Sequence, residues 1–170
     1  MRFLYLLAFL FLGMQLAAQP ATLYTDPVVY NDYIVDQQSN IGQAIMGFTD
    51  QFSEENLDET KVRASYQVLL NQIAASTEAV EKIRGYESNI ELRDASLALF
   101  NFYDRIVRNQ YAELLDIMLK EEFTTEDEAR YYELVDSITS EELAYDERFS
   151  KAQEAFATKY NITLTNEGEE

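Results

Sequence analysis

The chain has no histidine, no cysteine and no tryptophan among its 170 residues, and only five glycines and two prolines. Positive charge is also scarce: 13 Lys+Arg stand against 31 Asp+Glu, a formal net charge of −18. Each shortage excludes something. Without imidazole or thiol there is no Ser-His-Asp triad, no cysteine nucleophile, no thiolate or imidazole metal site, no attached c-type haem and no disulfide framework. The deficit of cations removes the groups that displace counterions from phosphate backbones, so nucleic acid is not an expected partner. An anionic membrane surface is disfavoured for the same reason. No Asn-Gly or Asp-Gly pair and no sustained apolar–polar alternation signals a β-hairpin.

What is present is apolar mass. A hydrophobic fraction of 47%, including twelve Tyr and ten Phe, supplies enough surface for burial to offset the charge, which argues against wholesale disorder. The length suits one domain with a real core.

Met1-Arg2 followed by about a dozen apolar residues through Met14 has the proportions of a secretory signal peptide. Residues 1–18 are therefore expected to be removed, with cleavage after Ala18 and Gln19 as the mature N-terminus, although Leu16 stands where a small residue is preferred. The apolar run is shorter than the roughly 20 residues that span hydrocarbon, which disfavours an uncleaved anchor. No Cys follows it, so lipoprotein anchoring is excluded. No transmembrane segment is expected after cleavage.

Residues 19–162 read as four amphipathic helices. Asp26-Pro27 is a cap followed by a first-turn proline, and Tyr30, Ile34, Ile41, Ile45, Phe48 and Phe52 follow at helical spacing. Asn56 with Glu59 predicts a second start, with Val62, Tyr66, Leu69, Ile73, Val80 and Ile83 on one face until Gly85 stops it. Ser88 to Glu91 fits a capping box, and Leu92, Ala95, Leu99, Tyr103, Ile106, Leu114 and Ile117 mark a third helix to about Lys120. Thr125 to Glu128 fits the box again. Tyr132, Val135, Ile138, Tyr145, Phe149, Ala152, Phe156 and Tyr160 carry the fourth stripe to Asn161. Residues 163–170 form an acidic tail expected to fray. Helices of about 25–35 residues on short links are best buried as an antiparallel up-down-up-down bundle, roughly 40–50 Å long.

The chemistry this composition allows is narrow. Ferritin-like metal sites need Glu-x-x-His, and no calcium loop is present. The acids gather as Glu54-Glu55, Glu121-Glu122, Glu126-Asp127-Glu128 and Glu141-Glu142, which reads as solvated surface favourable to helix N-termini. Tyr66, Tyr103 and Tyr132 fall on core stripes. No catalytic, metal or cofactor-binding residue is assigned, and no enzymatic activity is expected; a hydrolase built on two convergent carboxylates is the weakest alternative. The candidate binding set is Tyr30 and Asn31 with Gln37 and Gln38, where the stripe brings one glutamine toward the core and a buried amide needs partners. The plainer reading of that set is a hydrogen-bond network fixing helix register.

Asn161-Ile162-Thr163 matches a glycosylation sequon, taken as coincidence, and Asp136-Ser137-Ile138 is similar to an O-glycosylation motif, although it falls inside an expected helix. The Leu16-Ala17-Ala18-Gln19 ending together with Asp136-Ser137-Ile138 resembles exported proteins of diderm bacteria, which implies a periplasmic, cell-surface or secreted location and no particular activity. The leading expectation is a non-catalytic helical protein with a binding or structural role, its partner a protein of the bacterial envelope. The runner-up is a carrier holding a small apolar or cationic ligand between helices, with Met46, Phe48, Phe100 and Met118 as adaptable walls.

Overall fold

A computed structural model describes residues 23–53 and 57–164. The expected signal segment, the mature start at Gln19, the cap at Asn56 and the end of the acidic tail lie outside the described residues. Within them the protein is all-α, with no strand. Helix α1 spans Pro27–Thr49 and runs into a 3-10 turn, Asp50–Ser53. Helix α2 spans Glu59–Glu81 and α3 spans Glu91–Ile106. A π-helical turn, Val107–Tyr111, joins α3 without a break to α4, Ala112–Met118. Helix α5, Thr125–Tyr160, is the longest at 36 residues.

The helix ends follow from local chemistry. Asp26 caps α1 by accepting from the N–H groups of Val28 and Val29, with Pro27 at the first helical position. The cap of α2 is Asp58, which accepts from Thr60 and Lys61. The box expected at Ser88 does not form: Ser88 has a φ of 69°, Ile90 occupies the cap position, and the Asn89 carboxamide oxygen instead accepts from the Glu91 N–H. The last capping box is shifted by one residue, to Thr124 and Asp127. Asn161 closes α5 in the left-handed region at φ 55°, and the N–H of Ile162 donates back to the Ala157 carbonyl at 2.9 Å, the pairing of a Schellman motif. Gly85 lies in the α2–α3 link, where a Cβ would run into the Asn89 carbonyl and the Ile90 side chain. The turn can close only over a residue with no side chain.

The core stripes largely match the sequence expectation. Tyr30, Ile34, Ile41 and Phe48 of α1, Val62, Leu69, Ile73 and Val80 of α2, and Leu92, Leu99, Tyr103 and Ile106 of α3 are all buried in one core. Helix α1 packs on α2, α2 on α3, and α3 on α5. Helix α3 is buried round more of its circumference than its stripe implies, because Phe100 and Phe102 also turn inward. On α5, Tyr132 is 58% exposed and so leaves the expected stripe; Leu134 is buried in its place. No helix among the described residues is long and apolar enough to cross a membrane.

Two of the gatherings of aromatic rings lie far apart along α1. The first turn of α1, the α2–α3 link and the last turns of α5 meet where Tyr30 lies 5.3 Å from Phe156 and Tyr86 lies 4.8 Å from Tyr160, between ring centroids. Far from it along α1, Phe48 touches Phe52, Tyr66 and Tyr111.

Candidate functional site

The second gathering borders a cleft. The π turn is what brings Tyr111 to it. A regular helix would turn Gln110, four residues after Ile106, toward the core; the wider π turn fits one extra residue and presents Tyr111 instead. Side chains bond to the backbone at this turn: the Tyr66 hydroxyl of α2 donates to the Val107 carbonyl at 2.9 Å, and the Asn109 carboxamide donates to the Arg105 carbonyl at 2.6 Å. Thus fixed, the Tyr111 ring stacks on Phe48, with centroids 5.8 Å apart and planes 20° apart.

Between the end of α1, the π turn, α4 and the first half of α5 lies a cleft of about 490 Å³, within the range of small-molecule sites. Its walls carry Phe48, Phe52, Tyr111, Met118 and Tyr131, and Glu142 closes one side. Tyr131, Val135, Ile138 and Glu142 reach it together because spacings of four, three and four keep them on one face of α5. Of the walls expected for a carrier, Phe48 and Met118 line this cleft, whereas Met46 is 58% exposed and Phe100 is wholly in the core.

Behind the cleft the electrostatics are unusual. The buried Tyr103 hydroxyl faces two carboxylates on successive turns of α5: it makes a long 3.5 Å contact with Asp146, and Glu142 lies close by. Burial raises the pKa of Glu142, and the neighbouring Asp146 charge adds to this while the Tyr103 hydroxyl opposes it. Burial raises Asp146 as well, again against the pull of Tyr103. Tyr103 is driven well above the usual phenol value, by burial first and then by the two carboxylates. Burial, with help from Glu142, pushes Tyr111 up to about 12. Among the described residues, neither Glu142 nor Asp146 forms an ion pair.

The residues singled out from sequence lie elsewhere. Tyr30 is fully buried in the first ring cluster. Burial pushes its hydroxyl up to about 12, against the opposing pull of Arg93, and that hydroxyl has no hydrogen-bond partner of ordinary geometry among the described residues. Asn31 is 4% exposed; its carboxamide oxygen accepts from Gln153 of α5 at 3.2 Å and its amide donates to Asp32 at 3.1 Å. Gln37 and Gln38 are both half-buried and outside that bridge. Tyr30 and Asn31 are thus adjacent in the fold, and neither they nor the glutamines line the cleft between Phe48, Tyr111 and Tyr131. Ser137 is exposed in mid-helix, with its hydroxyl 3.4 Å from Glu141, and Asn161 is the exposed residue that closes α5.

A second hollow, of about 620 Å³, is rimmed by Arg105, Arg108 and Arg130. Each of these guanidiniums is already paired, with Glu141 at 2.6 Å, Asp104 at 2.8 Å and Glu113 at 2.7 Å respectively, so the hollow is not a free anion site. Among the described residues, no group of three acids is arranged to hold a metal ion.

Sequence reasoning missed Tyr111, Tyr131, Glu142 and Asp146. One signal was present: the third stripe skips from Ile106 to Leu114, with polar Gln110 where an apolar residue was due. No protein-family model, curated protein or solved structure matches this chain.

Proposed function

We propose that this chain is a non-catalytic binding protein that takes one small apolar or cationic ligand in the cleft between Phe48, Tyr111 and Tyr131. The scaffold in this reading is an antiparallel up-down-up-down four-helix bundle, working outside the cytoplasm after loss of residues 1–18. Support for the bundle comes from its ends: Tyr30, Tyr86 and Phe156 meet at one, and Phe48, Tyr66 and Tyr111 at the other. The observation that carries the function is the cleft, a hollow between helices walled largely by aromatic and aliphatic side chains. A binding role also suits a composition without histidine or cysteine.

The test uses Nile red, an uncharged apolar dye, titrated into the full chain. One dye per chain with blue-shifted emission is expected. Thr139→Trp, an exposed cleft position, should abolish it while amide NMR spectra stay dispersed. Dye emission that never shifts, or that the tryptophan leaves untouched, removes the cleft as a binding site.

A further inference from the structure

We infer that the ligand of this cleft is an organic monocation with an apolar body, held by the rings of Phe48, Phe52, Tyr111 and Tyr131 and countered by the Glu142 carboxylate. The inference rests on the binding reading above and narrows it by charge. Aromatic faces present negative quadrupole density, which attracts a cation more than a neutral group of equal shape, and more so once water is displaced. Glu142 lies on the cleft wall and Asp146 one turn beyond, and no Lys or Arg among the described residues pairs with either. Most acids without a partner are exposed to water, but of the half-buried acids among the described residues Asp104, Glu113, Asp127 and Glu141 each hold a cation, and Glu142 and Asp146 do not. A bound cation would supply the countercharge that the fold gives those acids and withholds here.

Other occupants fit less well. Hard inorganic cations take six or more oxygen ligands, and this wall offers one carboxylate, two threonine hydroxyls and two phenols among apolar groups. An anion would meet Glu142 within a molecule of formal charge −18, whose field instead concentrates cations.

Two ligands of equal shape separate the charge from the shape: acetylcholine, and its uncharged carbon isostere 3,3-dimethylbutyl acetate. Both are titrated into the full chain in low salt at pH 7, read by amide shifts of the cleft residues and by displacement of Nile red. The cation is expected to bind about tenfold tighter than the isostere. Glu142→Gln should cut that difference several-fold, the ring faces keeping the remainder. Equal or tighter binding of the isostere, or a preference undiminished by Glu142→Gln, overturns the cationic assignment and leaves the binding reading standing. If neither ester shifts the cleft residues while Nile red still binds, the assignment also fails. If Nile red fails as well, the binding reading goes with it.

Discussion

Two tyrosine hydroxyls show how much a side chain's worth depends on what it meets. That of Tyr66 donates to the Val107 carbonyl in the π turn, at 2.9 Å, whereas that of Tyr30 is buried with no partner of ordinary geometry. Removing a satisfied buried hydroxyl strands its acceptor, and removing an unsatisfied one relieves a desolvation cost. Tyr66→Phe should therefore lower unfolding stability by about 1–2 kcal/mol, and Tyr30→Phe should be neutral or stabilising by up to about 1 kcal/mol. Urea titration of both variants measures the contrast, and equal losses would contradict it. At this scale the sequence was only partly legible. Apolar periodicity placed Tyr30 inside, yet nothing in it distinguishes a ring that packs from a hydroxyl that bonds. Gln37 and Gln38 looked alike from sequence to Asn31, but only Asn31 meets a partner across the helices, and that partner, Gln153, is 122 residues away.

Among the elements, the rod made by α3, the π turn and α4 offers the sharpest test. A π turn is in effect one residue inserted into an α-helix, with both flanks kept in register. Deleting Asn109 should then close the rod into a regular helix in which Tyr111 follows Ile106 at a spacing of four and Leu114 follows at seven. The fold is expected to survive, with a Tm change of only a few degrees, although the Val107 carbonyl is withdrawn from Tyr66. Deleting Asn101, also exposed, would instead rotate Leu92, Leu99 and Phe100 against Tyr103 and Ile106 and should unfold the chain. A fold lost equally in both deletions would disprove the insertion view. The existence and approximate span of the helices were legible because long apolar stripes are strong signals. The ends were less so. Asp58, Asn89 and Thr124 act where neighbouring residues offered equally good capping sequences, and backbone geometry decided among them.

For the whole molecule, charge sets the conditions of stability. The burial-raised carboxyls of Glu142 and Asp146 bind protons more tightly in the folded chain than in the unfolded one. Stability therefore falls as pH rises from the ordinary carboxylate range through their raised values. Asp127 acts with the opposite sign: bonds from Lys120 and Thr124 hold it at about 2, so its contribution is present above the ordinary value and lost as pH falls toward 2. Glu78, Glu113 and Glu147 are lowered by Lys82, Arg130 and Lys151 and follow the same sign. Between these opposing windows, and with repulsion from a net charge of −18 easing as acids protonate, the Tm should be higher at pH 5 than at pH 7. Replacing Glu142 by Gln and Asp146 by Asn should narrow that gap, and a higher Tm at pH 7 would refute the assignment. The ring cluster that joins Tyr24, Tyr30, Tyr86 and Tyr160 carries one more consequence. With no indole in the sequence, the near-ultraviolet circular dichroism of this protein belongs to phenol and phenyl rings. The close, fixed geometry of that cluster makes it a native optical label, able to report loosening of side-chain packing even while the far-ultraviolet signal of the helices holds.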